Sequence, residues 1–484
     1  MRDDNNALAD AAPRVARLLR PWLLSAIAVA ALTACGTPRA PSAAAPLDTS
    51  FVQAAPAPST PAGDTDTRTI ATFWREFRDP GLDALVDQAL IANTDLRLAQ
   101  ARLQEARATA GLARADGLPV FGLEAGVARA DPAGPLPLST QYSTGATFNW
   151  EIDFFGRNRS ARAAAAALVS ASEAGVHAAQ RLIAAEVASN YLSLRTLQQR
   201  LRVAEESLLN QRESLRIVDT RESLGRGTPL DVARARSLVD STEALLPALQ
   251  AAIDRTAYRL ATLTGQTPRT VGTALRTAQA LPTLATTDLS ALPLGTPQRL
   301  LQRRPDLQAA QRQVEAADAN IQLARADLFP RITLSGVLGF VAPRVGDLGQ
   351  RETRNHSAGA FLDWTPFDFG RVRSRIDINE ARAEQAWLLY QQTVQVAIEE
   401  TEGALAQYTG TVQQTARLES AARNAAEAAR LARLRFDAGA TDFLTVLDAE
   451  RNVLQAQDAL VQAQGGTLNA LVAVYRALGG GWTE

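Results

Sequence analysis

The chain has 484 residues, 21% of them charged, and a formal net charge of −1 at pH 7. This length exceeds that of one ordinary domain, and the near-neutral balance lacks the basic excess that nucleic-acid binding requires, so we expect no nucleic-acid partner. The chain contains one cysteine, which excludes an intramolecular disulfide.

Residues 1–34 are typical of a bacterial signal peptide. Arginines precede an apolar stretch, residues 22–32, that is too short to span a bilayer. The sequence Leu-Thr-Ala-Cys at residues 32–35 resembles the lipobox of bacterial lipoproteins, and the resemblance implies cleavage before Cys35 and acylation of that cysteine. Gly36 resembles the sorting signal for the outer membrane. The alternative is an ordinary signal peptide followed by an unmodified cysteine.

Residues 35–69 are rich in Ala, Pro, Ser and Thr and contain very few large apolar side chains. A segment of this composition cannot bury enough apolar surface to fold on its own. We therefore expect an extended tether that joins the lipidated Cys35 to the folded body of the protein.

The rest of the chain consists of two copies of one unit. The sequence DLRLAQARLQEARATAGLARADGLP from Asp95 aligns with DLQAAQRQVEAADANIQLARADLFP from Asp306. Further along, WEIDFFGRNRSARA from Trp150 aligns with WTPFDFGRVRSRID from Trp364. Self-similarity at a nearly fixed offset is the signature of an internal repeat.

We place the first repeat at residues 70–270, the second at 299–484, and a linker at 271–298. Each repeat is predicted to contain a helix, a β-hairpin, a very long helix and a further helix, in that order. The hairpins are predicted at 119–155 and 330–369, because a proline stops the preceding helix at the start of each range and apolar residues then alternate.

The long helix of the first repeat is predicted over about residues 157–224, on the order of 100 Å at 1.5 Å per residue. A second helix is predicted from Thr228 to about Thr264. Apolar residues recur at every seventh position of the long helix, which is the pattern of a coiled coil: Val187, Leu194, Leu201, Leu208 and Leu215.

The strands have the alternation of a membrane barrel. Polar Glu124, Thr147 and Glu151 fall on one face and apolar residues on the other, which suits water inside and lipid outside. Four strands leave two open edges, whereas a membrane barrel has none and needs at least about eight strands. Three copies of the chain would supply twelve. A soluble domain of two sheets is the alternative.

Several motifs together resemble the outer-membrane efflux protein (TolC-like) family, in its lipoprotein branch. The motifs start at four positions: RRPDLQ at Arg303, DFGRVRSRI at Asp368, RFDAGATDF at Arg435 and ALGGGW at Ala477. The resemblance implies an α+β membrane protein: a trimeric outer-membrane β-barrel, with four strands per chain, continuous with a long periplasmic α-helical coiled-coil barrel. It implies a lipid-anchored location in the outer membrane.

The resemblance also implies a function, a passive exit channel that receives small molecules from an inner-membrane efflux pump through a periplasmic adaptor. We expect no enzymatic activity, no cofactor and no metal. The chain has only two histidines, His177 and His356, far apart in sequence, and no GxSxG or Walker-type motif. The alternatives are the exit duct of a type I polypeptide secretion system and a periplasmic coiled-coil scaffold.

Glycines break the helical pattern at the end of each long helix, far from the strands. We expect the adaptor to contact these breaks. The residues concerned are Leu224, Gly225, Thr228, Leu230, Gly439, Thr441 and Leu444.

We also expect a closed gate at this end, made of polar, salt-sensitive contacts. The candidates flank the breaks and are Arg221, Asp231, Arg435, Asp442 and Asp448. By resemblance, Asp231 matches an aspartate that ties neighbouring coiled coils, and Asp448 matches an acidic position that rings the constriction. Helix capping is the alternative for Asp231 and Asp442. Asp448 lies beyond the first turn, but it could pair with Arg451.

Overall fold

The structure is a computed structural model that describes residues 50–52, 71–130, 139–275, 279–282 and 296–481. These ranges include helices and strands of both predicted repeats. The predicted signal peptide, Cys35 and Trp482, the last residue of the final motif, lie outside them.

The two repeats contain the predicted succession of elements. Each has a helix of 22 residues, two paired strands, a helix of 67 residues and a final helical stretch. The first repeat contains α1 (Pro80–Ala92), α2 (Thr94–Ala115), β1 (Val120–Ala130), β2 (Ser139–Ile152), α3 (Arg157–Ser223), α4 (Pro229–Glu243) and α5 (Leu245–Leu263). Then follow α6 (Pro268–Leu275), α7 (Pro297–Arg303), α8 (Pro305–Ala326), β3 (Arg331–Ala342), β4 (Arg354–Asp363), α9 (Arg371–Asp437) and α10 (Phe443–Ala477).

The helix predicted from Thr228 to about residue 264 is divided in the structure. α4 ends at Glu243 and α5 begins at Leu245. The cause is Pro247, which has no amide hydrogen to bond the carbonyl of Glu243 and whose ring crowds the preceding turn. α10 has no proline and continues without a break for 35 residues.

Short helices extend into the linker that was predicted at residues 271–298. α6 begins at Pro268, inside the range assigned to the first repeat, and α7 begins at Pro297. A proline at the first helical position suits such starts, because its fixed φ matches the helix and its missing N–H has no partner there. The join between the repeats is therefore partly helical.

The two long helices begin and end in the same way. Each is preceded by a glycine in the left-handed conformation, Gly156 with φ 78° and Gly370 with φ 86°. Each is followed by another, Gly225 with φ 70° and Gly439 with φ 71°. Only glycine adopts this conformation without steric cost, so it marks helix boundaries that local sequence can reveal. At 67 residues, each helix is about 100 Å long.

The four strands form one antiparallel sheet in the order β1-β2-β3-β4. Phe121 lies opposite Phe148, and Leu123 lies on the same face, whereas Glu124 and Thr147 lie on the other. The predicted alternation of apolar and polar faces is confirmed. Phe121 and Leu123 are 76% and 90% exposed, so the apolar face is uncovered in the single chain. β1 and β4 are the edges of the sheet.

A tryptophan in each repeat joins helix to strand. The indole Nε1 of Trp150 donates to the carbonyl of Gly117, and that of Trp364 donates to the carbonyl of Leu328, both at 3.1 Å. The two carbonyls follow the ends of α2 and α8, where a helix leaves its last carbonyls without intrahelical partners. Each helix can therefore pass into a strand without a long loop.

The main hydrophobic core lies where α1, α3, α5, α9 and α10 meet. Phe73 stacks on Tyr475 with ring centroids 5.4 Å apart. Phe51 contributes to the same core and is 2% exposed. The backbone N–H of Val52 donates to Oε1 of Glu402 at 2.7 Å.

Phe51 lies within residues 35–69, the segment that the sequence predicts to be an extended tether. Its large aromatic side chain is buried. Burying a phenylalanine is favourable enough to fix a short segment even where its neighbours are small. The tether is therefore held at α9 partway along its length.

A buried ionic cluster holds the end of α10 against the start of α8. Nη2 of Arg304 donates to Oδ2 of Asp306 at 2.7 Å and to Oε2 of Glu400 at 2.8 Å. Nη2 of Arg181 donates to the same oxygen of Asp306 at 3.0 Å. The two arginines also donate to two carbonyls in the last turn of α10, at 2.9 and 3.2 Å. The cluster thereby ties both repeats together.

The cluster makes stability depend on pH. Burial by itself would raise the pKa of the Asp306 carboxyl, but hydrogen bonds from Arg304 and the charge of Arg181 hold that pKa below its ordinary value. The carboxylate therefore contributes stability above its ordinary pKa, and this contribution is lost as pH falls through the lowered value.

We predict that Arg304→Gln destabilises the protein at pH 7 by about 3 kcal/mol, because it leaves the partly buried charge of Asp306 without its main partner. Thermal unfolding of the purified protein in detergent measures the loss. The deficit should shrink as pH falls below about 4, the ordinary pKa of an aspartate, towards the lowered pKa of Asp306 in the folded protein.

The matched control is Arg312→Gln, which removes an arginine that pairs with Glu315 at 2.8 Å on the exposed side of α8. An exposed pair contributes less than about 1 kcal/mol. Equal losses of stability in the two variants at pH 7 would contradict the role of the buried cluster.

Candidate functional site at the helix turns

Two tight turns lie at the ends of the long helices that are remote from the strands. The N–H of Arg226 donates to the carbonyl of Arg221 at 2.8 Å, and the N–H of Ala440 donates to the carbonyl of Arg435 at 2.7 Å. Each bond closes a glycine-containing C-terminal cap of the Schellman type. The two repeats therefore form the same turn, at the positions where the sequence predicted the breaks.

Two of the predicted gate aspartates take part in the N-terminal caps of the helices that follow the turns, Asp231 as the partner of the N-cap Thr228 and Asp442 as the N-cap itself. The hydroxyl of Thr228 accepts from the N–H of Asp231 at 3.2 Å and donates to Oδ2 of Asp231 at 2.7 Å. Oδ1 of Asp442 accepts from the N–H and the hydroxyl of Thr445, at 3.2 and 2.6 Å. These hydrogen bonds lower the pKa of Asp442. Both aspartates shape the turns, as the capping alternative predicts.

The apolar residues predicted to meet an adaptor are exposed at these turns. Leu224 is 67% exposed, Leu230 56% and Leu444 39%. Exposed leucines close together on two neighbouring turns provide an apolar surface that a partner protein can cover. Thr441 lies beside them, and its hydroxyl donates to that of Thr445 at 3.1 Å.

Asp448 lies one turn further into α10 and is half-exposed. Its Oδ1 accepts from Nη2 of Arg451 at 2.9 Å. Among the described residues, this is the only ion pair that a predicted gate residue forms. Asp442 and Asp448 both line a groove of about 450 Å³ between α9 and α10. The other residues of the groove are Ala425, Ala428, Leu444, Thr445, Ala449 and Asn452.

The contact between the two helix pairs at this end is aromatic rather than ionic. The guanidinium carbon of Arg221 lies 4.1 Å from the centroid of the Phe436 ring. The ring of Phe436 lies 5.3 Å from that of Phe443. Below them a small hydrophobic core contains Val218, Ala235, Ala432, Phe443, Val446 and Leu447. Within the single chain, Arg221 forms a cation–π contact, and apolar packing lies beside it.

Sequence reasoning missed Glu450, which lies in the seam between α3 and α10. Its Oε1 accepts from the hydroxyl of Ser214 at 2.6 Å. Its Oε2 and both amide atoms of Gln211, one turn away on α3, are buried without a hydrogen-bond partner among the described residues. Burial raises the pKa of Glu450. The available signal was its position between Leu447 and Leu454, where a charged residue interrupts an apolar stripe.

No group of three or more His, Cys, Asp or Glu residues in the described part of the chain is arranged to hold a metal ion. Within the same residues, no helix combines the length and the apolar character needed to cross a membrane. Arg435 contributes its carbonyl to the turn.

The sequence has close relatives among characterised proteins. The outer membrane efflux protein family matches residues 85–266 and 296–480, one match in each repeat. The chain is 34% identical over 462 residues to the pyoverdine export outer membrane protein OpmQ of Pseudomonas aeruginosa, covering 93% of this chain and 95% of that protein. It is 31% identical over 434 residues to the solvent efflux pump outer membrane protein SrpC of Pseudomonas putida, covering 87% and 90%.

Solved structures share the fold. The outer-membrane channel OprN superposes with a TM-score of 0.84 at 37% identity, covering 92% of this chain and 98% of that one. The outer membrane protein VceC of Vibrio cholerae gives a TM-score of 0.79 at 27% identity, covering 85% and 99%. These matches confirm the predicted combination of four antiparallel strands, long helices and two repeats.

Proposed function

We propose an assembly for this chain, which belongs to the outer membrane efflux protein family. Its function is that of the outer-membrane channel of a tripartite efflux system. Three copies close their sheets into one barrel, and their long helices continue it as a tunnel into the periplasm. The channel is passive and has no enzymatic activity, so the energy for transport comes from the pump.

The observation that carries the proposal is the open sheet. β1 and β4 each leave a row of backbone N–H and C=O groups unpaired, and such groups cost several kcal/mol each inside a bilayer. The uncovered apolar face requires lipid around it. Two copies would give eight strands, whose interior is filled by side chains, whereas three give twelve strands and room for a pore. A homotrimer therefore satisfies the edges and provides a channel.

The names of the relatives indicate the class of exported molecule. OpmQ is a pyoverdine export protein, and SrpC belongs to a solvent efflux pump. We infer that this channel also conducts small organic molecules, supplied by an inner-membrane efflux pump through a periplasmic adaptor. This favours efflux over polypeptide secretion. Family membership as a channel also leaves no support for the scaffold alternative.

A lipid on Cys35 would fasten the N-terminus to the outer membrane. The tether that follows is then held at two points, by the lipid at its start and by Phe51 in the main core. The lipid adds to the hold of a barrel that is already stable in the membrane.

We predict that Cys35→Ser abolishes incorporation of labelled palmitate and leaves a longer, unprocessed chain, because the acylated residue is also the cleavage position. Thr37→Ser is the matched control and should be labelled normally. The Cys35→Ser variant should still reach the outer membrane. Normal processing of Cys35→Ser would contradict lipidation.

The exposed turns provide the contact with the adaptor. Leu224, Gly225, Thr228 and Leu230 present one turn, and Gly439, Thr441 and Leu444 present the other. The exposure of the leucines supports this role, as does the position of both turns at the far end of helices about 100 Å long.

We predict that cysteines introduced at Leu230 and Leu444 crosslink to an adaptor in cells. The chain has no cysteine besides Cys35, so each new thiol reports one position. A cysteine at Leu182, which is 50% exposed but lies about 60 Å along α3 from the turns, is the control. Crosslinks at Leu182 alone would contradict this placement of the adaptor.

We propose that the same end of the tunnel is the gate. Asp448 faces the constriction, and the Arg221–Phe436 contact holds the two helix pairs of one chain together. Asp231 and Asp442 fix the turns as caps, and Arg435 closes the second turn. Three symmetry copies of Asp448 crowd negative charge at a narrow mouth, which favours cations there.

We predict that Asp448→Ala weakens the preference for cations in planar bilayers. Glu315→Ala is the matched control, because Glu315 forms an ion pair of similar exposure with Arg312 on α8, away from the turns. The control should keep the selectivity of the wild type. Unchanged selectivity of correctly assembled Asp448→Ala would show that Asp448 does not line the pore.

A further inference from the structure

The connection between β3 and β4 lies at the end of the sheet that is remote from the helices. β3 follows α8 and β4 leads towards α9, so the chain reverses at the opposite end, between Ala342 and Arg354. Because the helices extend into the periplasm, this end of the barrel lies in the outer leaflet of the outer membrane. That leaflet is built from a phosphorylated glycolipid.

A groove of about 780 Å³ lies at this end of the sheet. In the register of β3 with β4, Leu338 lies opposite His356 and Phe340 lies opposite Arg354. In the registers that join the four strands, all four residues fall on the same face as Phe121. Their side chains therefore lie on the apolar face of the sheet. The groove is therefore on the side of the barrel that faces lipid. Its lining residues are Leu338, Gly339, Phe340, Arg351, Arg354, Asn355 and His356.

The groove has an unbalanced positive charge. Arg351 and Arg354 are exposed, and neither forms an ion pair among the described residues. Glu352, which lies between them in sequence, lines a second groove with Gln141 and Val341, whose side chains lie on the polar face. Arg354 and Asn355 line both grooves. The groove that faces lipid therefore contains two guanidinium groups and an imidazole but no carboxylate.

This arrangement is costly unless an anion is present. An arginine on the lipid face of a barrel is destabilising in the hydrocarbon and becomes tolerable only at the level of the headgroups. Guanidinium groups bind phosphate in a bidentate manner, with both geometry and charge matched. Phe340 lies level with Arg354, and Leu338, which is 71% exposed, lies two residues deeper on β3, about 7 Å towards the hydrocarbon.

We propose that this groove binds the phosphorylated headgroup of an outer-leaflet glycolipid of the lipid A class. Arg351 and Arg354 contact a phosphate, His356 donates or accepts beside it, and Leu338 and Phe340 pack against the start of an acyl chain. Arg129 lies on the same face at the far end of β1. In the proposed trimer, β1 of the next copy closes against β4, so Arg129 of that copy adds a third guanidinium to the site.

The test measures binding to the full-length assembled protein in detergent by native mass spectrometry. The probes are bis-phosphorylated lipid A, dephosphorylated lipid A, phosphatidylglycerol and inorganic phosphate. Wild-type protein should bind bis-phosphorylated lipid A in preference to the other three. The double variant Arg351→Gln/Arg354→Gln should lower this affinity by about tenfold or more, because it removes both bidentate contacts.

Arg344→Gln is the matched control, an exposed arginine of the same connection that does not line the groove, and its binding should equal that of the wild type. If the double variant fails to assemble, the single variant Arg351→Gln takes its place, because Arg351 lies before β4 and its substitution leaves strand pairing intact. This variant should lower the affinity for bis-phosphorylated lipid A severalfold. Equal binding of dephosphorylated lipid A or phosphatidylglycerol, or unchanged binding in the variants, would overturn the proposal. Conductance of the same variants in bilayers should match the wild type, which separates this site from the channel itself.

Discussion

The structure depends on one constraint, that no backbone polar group at the edge of a sheet can remain unpaired inside a bilayer. A single chain has four strands and two open edges, β1 and β4. Closure must therefore come from other copies, and a ring of copies brings their helices together as well. In the proposed trimer, the long helices surround a continuous space below the barrel, so the pairing of two strand edges in the membrane determines the assembly of the whole tunnel.

Because of the internal repeat, a single chain supplies two hairpins and two long helices to this assembly. Each repeat supplies one hairpin and one helix of 67 residues, and each joins helix to strand through a tryptophan indole, Trp150 or Trp364. The repeats differ where their roles differ. Pro247 divides the last helix of the first repeat, whereas the second ends in the unbroken α10, whose carbonyls are held by Arg181 and Arg304.

The features that sequence could predict are those set by local pattern. Alternation identified the strand faces, and Gly225 and Gly439 marked the turns, because φ above zero favours glycine whatever surrounds it. Features that depend on distant partners could not be predicted. Phe51 docks on a core assembled from both repeats, and Arg221 rests on the ring of Phe436, more than two hundred residues away. At the candidate gate, sequence found the capping aspartates but not Glu450, whose neighbours belong to another helix.

The number of chains in the assembly shows whether the open sheet edges are paired between copies. Native mass spectrometry of the detergent-solubilised protein counts the chains without contribution from bound detergent. Closure of the sheet edges around a pore predicts three chains. A single chain would mean that the edges are satisfied in another way, and two chains would mean an eight-stranded barrel with a filled interior. Either result would contradict the account.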